Sequence, residues 1–203
     1  WRASNYEGAT NVTRELLRYW WREDRYRRLF FCQLEAAETA IFLSEIRAGG
    51  KRVRFNPRLT DEGLAGLVDT PLEPGQPPLT RYGCKMATGS GKTVVMAMLV
   101  AWTLCNRGRF PSAERFPSAV LVVCPNSVTA QWVEELHKHG HPNFSNSVVL
   151  SGSTKKRAAT LQQLAADSGW QGWIITSYDS LRGLFPTLYK LQAYPSKLFD
   201  TDT

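Results

Sequence analysis

Cysteine is scarce in this sequence, long apolar runs are missing, and acidic residues fall short of basic ones. The four cysteines among 203 residues, Cys32, Cys84, Cys105 and Cys124, lie far apart and never form C-x-x-C. That spacing points away from a disulfide framework. Three of the thiols sit inside apolar runs, as expected of reduced core cysteines in a cytoplasmic protein. No run approaches the roughly 18 apolar residues of a membrane helix, so no membrane partner is expected. The longest apolar block, 94–105, reads instead as a buried helix. Neither a signal peptide nor an initiator methionine opens the chain, which starts at Trp1, and a fragment of a longer protein is expected. The shortage of acids leaves a net charge of +7, which favours an anionic partner, nucleic acid being the commonest. At 43% hydrophobic and 21% charged the composition is that of an ordinary globular protein, and 203 residues suit one α/β domain or one domain with an appendage.

What is present is organised around Met86-Ala87-Thr88-Gly89-Ser90-Gly91-Lys92-Thr93. A strand-like run (82–86) precedes it and the apolar helix follows, the order that builds a phosphate cradle. Gly89 and Gly91 lack a Cβ, so the turn can take positive φ and face backbone N–H groups towards an anion. Lys92 adds a charge for the β- and γ-phosphates, and the Thr93 hydroxyl suits Mg²⁺. The general fingerprint G-x-x-x-x-G-K-[ST] has its first glycine where this chain has Met86, so the match rests on G-S-G-K-T and its context.

Upstream, Thr13 is placed to cap a short helix through Leu16, Leu17 and Trp20. A basic knot follows (Arg22, Arg25, Arg27, Arg28), readable as a phosphate contact or as a solvated turn. A second helix is expected over 29–47, closed by Gly49-Gly50. Five prolines make 56–80 a loop. From residue 81 strand and helix alternate. The helix over 94–105 is stopped by Arg107-Gly108. A β-branched strand follows at 119–124, then a helix capped by Ser127 or Thr129 and ending at Gly140. Further on come a strand at 148–150, a helix at 155–166, a strand at 172–176 and a short helix from Ser180. This alternation predicts a RecA-like α/β domain, a parallel sheet with helices on both faces, preceded by an N-terminal helical segment.

Several stretches carry a family resemblance. The block V-L-V-V-C-P-N-S-V-T-A-Q-W-V-E-E-L (120–136) resembles motif Ia of superfamily-two helicases, in the form found in Swi/Snf-type translocases. The run I-I-T-S-Y-D-S-L (174–181) resembles the family's next strand-contact motif, and F-F-C-Q-L-E-A-A (30–37) its glutamine motif. M-A-T-G-S-G-K-T, with G-A-T-N-V-T-R-E-L-L (8–17) and R-L-F-F-C-Q-L-E-A-A-E-T (28–39) before it, is similar to the Res-like branch (type III restriction ATPases) of the DEAD/DEAH-type enzymes. The resemblance implies an ATP-dependent DNA helicase or translocase of a restriction or DNA-remodelling system, with ATP and Mg²⁺ as cofactors. By the same resemblance, Gln33, Thr88, Gly89, Ser90, Gly91, Lys92 and Thr93 would bind the nucleotide. Lys92 would be catalytic and Thr93 a Mg²⁺ ligand. Pro125, Asn126, Ser127, Gln131, Thr176, Ser177 and Tyr178 would contact the nucleic acid, DNA in preference to RNA. A second RecA-like domain outside this chain and a modification or nuclease partner are implied as well.

The domain reading is therefore 1–55 as helical segment with the glutamine motif, 56–80 as Pro-rich loop, and 81–203 as first motor domain. The family's D-E-x-H carboxylates are expected beyond this chain, since the acids after Tyr178 are Asp179, Asp200 and Asp202 alone. Two other readings stay open: a P-loop kinase or nucleotide switch without nucleic acid, and a non-hydrolysing ATP-dependent DNA-binding module. His137, His139 and His141 invite a metal, but alternate helical residues diverge, and cationic histidine at a helix C-terminus is the plainer account. Trp20, Trp21, Trp170 and Trp173 suit core packing or base stacking. Lys155-Lys156-Arg157 opens a helix against its dipole, as a phosphate contact or as a solvated face.

Overall fold

The computed structural model describes residues 1–47, 82–113, 116–139 and 146–190, with backbone alone for 135–139 and 189. The Gly49-Gly50 stop, the 56–80 loop, Gly140, His141, Asp200, Asp202 and the side chains of His137 and His139 lie outside this description. The chain divides into two compact units, Trp1–Leu99 and Val100–Asp202.

In the first unit, a 3-10 turn (Arg2–Ser4) leads to α1 (Asn11–Trp20), α2 (Phe31–Ile41) and a π-helical turn (Phe42–Arg47). Thr10, not Thr13, caps α1: its backbone is extended and its hydroxyl accepts from the Thr13 N–H at 3.1 Å. Thr13 is released to point inward. With Leu17 and Trp20 it forms the buried stripe of α1, at the i, i+4, i+7 spacing of one helical face. On α2, Leu34, Ala37, Glu38 and Ile41 make the equivalent stripe.

Two buried acids tie these helices together. Glu45, placed by the π turn, accepts from the Thr10 N–H and the Thr13 hydroxyl, both at 2.6 Å. Glu38 accepts from the Arg2 guanidinium at 2.9 Å, from the Tyr6 hydroxyl at 3.0 Å and from the Trp21 indole. Arg2 also reaches Glu35 and lies 4.1 Å over the Trp21 ring. A carboxylate taken out of water needs such donors, because an unpaired buried charge costs several kcal/mol (about 3–5).

The expected strand at 82–86 is not formed; no strand among the described residues pairs with it, and Tyr82, Gly83, Cys84 and Lys85 are exposed. A strand exists only through its ladder. Cys32 and Cys84 are exposed rather than core thiols, whereas Cys124 is buried and Cys105 half-buried. Cys32 falls off the buried stripe of α2, which explains its exposure.

Helix α3 (Lys92–Arg109) carries the chain from the first unit into the second. It runs through Gly108, expected to stop it. One interior glycine costs only about 1 kcal/mol relative to alanine, and the Phe110 N–H still bonds the Asn106 carbonyl at 2.8 Å.

The second unit continues with β1 (Ala119–Cys124), a 3-10 turn (Asn126–Val128), α4 (Thr129–His139), β2 (Ser147–Val149), α5 (Thr154–Ala166), β3 (Gly172–Ser177), α6 (Tyr178–Arg182) and α7 (Phe185–Lys190). The three strands are parallel in the order β1-β3-β2, with Leu121 opposite Ile174 and Val148 opposite Ile174 from the other side. This is the expected α/β architecture. The central strand β3 is buried throughout. Ile174 packs with Leu150, Leu161, Leu184 and Leu188; each such side chain removed from water contributes about 1.5–3 kcal/mol. Trp173 and Ile175, alternating onto the opposite face, are buried as well, and α4 packs against β3. Trp20 and Trp173 are therefore core residues, while Trp21 and Trp170 are half-buried. Ser153 caps α5 through the Lys156 N–H, and Arg157 turns back onto the Gly152 carbonyl at 2.7 Å. Lys155 and Lys156 remain exposed.

Candidate nucleotide and nucleic-acid sites

In the first unit, residues 88–91 make a tight turn that opens α3. Gly89 and Gly91 both take left-handed backbone, φ +78 and +81, the conformation that favours glycine. The turn is closed by the Ser90 N–H and Ser90 hydroxyl on the Ala87 carbonyl, at 3.3 and 2.7 Å. Lys92 is exposed and its ammonium donates to the carbonyls of Met86 (3.1 Å) and Ala87 (2.8 Å). Thr93, half-buried, sits beside it in the first turn of α3.

Gln33 meets this turn from α2. Its carboxamide oxygen accepts from the Phe30 N–H at 2.9 Å and its nitrogen donates to the Ser90 carbonyl at 2.9 Å. The first bond is half of a capping box, in which the third helical residue reaches back to satisfy an orphan N–H. The second fastens the turn. The fit is tight: a Cβ on Gly91 would lie 2.0 Å from the Gln33 nitrogen, whereas one on Gly89 would meet nothing within 4 Å. The Met86 and Ala87 carbonyls and the Phe30 N–H were missed in the sequence because backbone partners leave no residue-type signal. A glutamine three residues into a helix was the available cue.

In the second unit, the register sets Cys124 opposite Ser177, so the chain leaves β1 and β3 side by side at one edge of the sheet. Open α/β sheets bind ligands beyond such carboxyl ends. Pro125, Asn126, Ser127 and Gln131 are all exposed there, as is Tyr178. The Val128 N–H on the Pro125 carbonyl (3.1 Å) and the Thr129 hydroxyl on the Asn126 carbonyl (2.8 Å) shape the turn. The other two residues of the T-S-Y run point elsewhere. Thr176 is 0% exposed and its hydroxyl has no hydrogen-bond partner. Ser177 is buried and caps α6 through the Ser180 N–H at 3.3 Å. The side-chain contact expected of Thr176 is thus closed off by the core, since strand alternation turns it inward with Ile174.

Parallel strands alternating with helices define a RecA-like α/β domain. The SNF2-related domain family matches residues 81–197, more than half of the chain. The chain belongs to this family, a helicase-like region of superfamily two. Three curated proteins share shorter stretches. The chain is 39% identical over 85 residues to DNA repair protein RAD5 of Cryptococcus neoformans var. neoformans serotype D, covering 39% of this chain and 7% of the relative. It is 32% identical over 113 residues to DNA repair and recombination protein RAD54 of Saccharomyces cerevisiae, covering 50% and 12%. It is 31% identical over 98 residues to human TATA-binding protein-associated factor 172, covering 46% and 5%. The chain thus spans at most 12% of these relatives' lengths. No solved structure matches.

Proposed function

We propose that this chain is the ATP-binding part of an ATP-dependent DNA translocase, residues 81–203 being its first motor domain and 1–55 a helical segment carrying the glutamine motif. The observation that carries the reading is the left-handed Gly89/Gly91 turn opening α3 inside a region of SNF2-family sequence. Backbone of Thr88, Gly89, Ser90 and Gly91 with the Lys92 ammonium would hold the phosphates of ATP. The Thr93 hydroxyl would hold Mg²⁺. Bound Mg-ATP supplies the phosphoryl transfer that drives movement. Lys92 would leave the Met86 and Ala87 carbonyls to meet the phosphates. Gln33 retains one N–H and one acceptor lone pair beyond those it uses, the pair an adenine edge requires.

DNA is the proposed partner, supported by the excess of cations and by the DNA repair relatives. Its backbone would run over Pro125, Asn126, Ser127, Gln131 and Tyr178, with Ser177 and Thr176 holding that edge from within. The Res-like resemblance concerns residues 8–39 and the phosphate loop, and a restriction-type branch is proposed on those residues alone. The D-E-x-H carboxylates, a second RecA-like domain and a modification or nuclease partner belong to the same proposal.

The test is isothermal titration of the 203-residue chain with Mg-ATP, beside an ATPase assay with and without DNA. Binding should be lost in Lys92→Ala, and turnover of the chain alone should stay at background even with DNA. Undiminished binding in Lys92→Ala removes the assignment of the loop. Robust DNA-stimulated turnover would place the catalytic acids within this chain, with Asp179 and Asp200 the first to replace.

A further inference from the structure

A second feature lies outside the family-matched residues. Between α1 and α2 the chain takes no regular secondary structure over residues 22–30. Here four arginines (Arg22, Arg25, Arg27, Arg28) and two acids (Glu23, Asp24) run up to and between the aromatic residues Tyr26, Phe30 and Phe31. Tyr26 is 100% exposed, Phe30 63% and Phe31 64%. These are large apolar faces left in water, close together in sequence.

The cations around them are unequally engaged. Arg22 is paired with Asp24, and Arg28 donates to the Glu23 carbonyl at 2.7 Å. Arg25 lies 4.7 Å over the Tyr19 ring with one guanidinium nitrogen buried and unpartnered, so it braces the segment and is not offered to a ligand. Arg27 is exposed and has no acidic partner among the described residues. Phe31 stands edge-on to Trp21 at 6.4 Å, and Trp21 is itself held by Glu38 and by the Arg2 guanidinium.

We propose that residues 22–31 form an accessory site for single-stranded nucleic acid, with Tyr26, Phe30 and Phe31 stacking on unpaired bases and Arg27 and Arg28 contacting phosphates. Rings of this kind offer a face to any base once it is unpaired, and guanidinium groups follow the backbone charge. A duplex hides its base faces, so the aromatic part of the site discriminates between strands and duplexes. The site draws on residues of the first unit alone, and its fate does not depend on the assignment of residues 125–178.

The experiment is fluorescence anisotropy of the 203-residue chain with labelled oligo(dT), oligo(U) and a duplex of equal length, across a salt series. Arg27→Gln with Arg28→Gln should weaken all three probes and reduce the single-strand salt slope by about 1.4, at about 0.7 per phosphate contact. Tyr26→Ser with Phe30→Ser should weaken oligo(dT) and oligo(U) about five- to a hundred-fold per stacked base lost and leave the duplex nearly unchanged. Gln131→Ala, in the second unit, should reduce duplex binding without altering this difference. Because folding could be blamed for a loss, ultraviolet cross-linking of oligo(dT) to the unsubstituted chain supplies a second reading. Cross-links should map to residues 24–35 after cleavage at glutamate. Unchanged affinity in both double variants, equal weakening of duplex and single strand by the aromatic pair, cross-links confined elsewhere, or displacement by polyglutamate at equal charge would each overturn the proposal.

Discussion

Replacing Gly91 with alanine tests the candidate nucleotide site most directly. The residue takes φ +81, and an L side chain forced into left-handed backbone costs about 1–2 kcal/mol. The new Cβ would also lie 2.0 Å from the Gln33 nitrogen. Gln33 is only 5% exposed and bridges the Phe30 N–H to the Ser90 carbonyl, so it cannot swing aside without leaving buried polar groups unpaired. That adds about 1–3 kcal/mol, for a total of about 2–5 kcal/mol. Gly89→Ala is the internal control, because it shares the backbone strain (φ +78) but meets open space. Its cost should stop at about 1–2 kcal/mol. Denaturant unfolding of both variants, alone and combined with Gln33→Ala, closes a double-mutant cycle. The excess cost of Gly91→Ala should vanish once Gln33 is truncated. Equal destabilisation by the two glycine replacements, or an additive cycle, would refute the idea that Gln33 braces this turn.

Thr176→Val removes a buried hydroxyl that has no partner at nearly constant volume, and should raise stability by about 1–3 kcal/mol; a measured loss would show that the hydroxyl is satisfied. Thiol titration with an aromatic disulfide at about pH 8 should show Cys32 and Cys84 reacting first. Burial pushes the Cys105 thiol up to about 11 and raises Cys124 as well, so both should lag, and four equal rates would contradict the burial pattern. Burial and the neighbouring Glu38 charge raise the Tyr6 phenol above its ordinary value. The folded chain then keeps that proton longer than the unfolded chain, so stability is intact below about pH 10 and falls as pH rises beyond it. Unfolding curves on either side of that pH should show a shallower decline in Tyr6→Phe, and identical declines would remove Tyr6 from the account.

Local chemistry sufficed for much of this. Gly89, Gly91, Lys92 and Thr93 announced their turn because no other residues combine that backbone freedom with that charge at a helix start. The β-branched runs at β1 and β3 and the helix of α5 were legible because a strand buried on both faces, or an amphipathic helix, writes its period into the chain. Other features depended on partners far away in sequence. Thr13 read as a cap until Glu45 drew it inward and Thr10 took its place. The residues at 82–86 had the composition of a strand but no ladder to join. Thr176 read as a surface contact, yet the β1-β3-β2 order makes its strand central and buries it. Gln33 stood out by its place in a glutamine-motif-like run, while its hold on Ser90 could be seen only once α2 was packed. Periodicity tells a residue which side of its own element it occupies; which group waits on that side is settled by long-range packing, where burial energy outweighs any local preference.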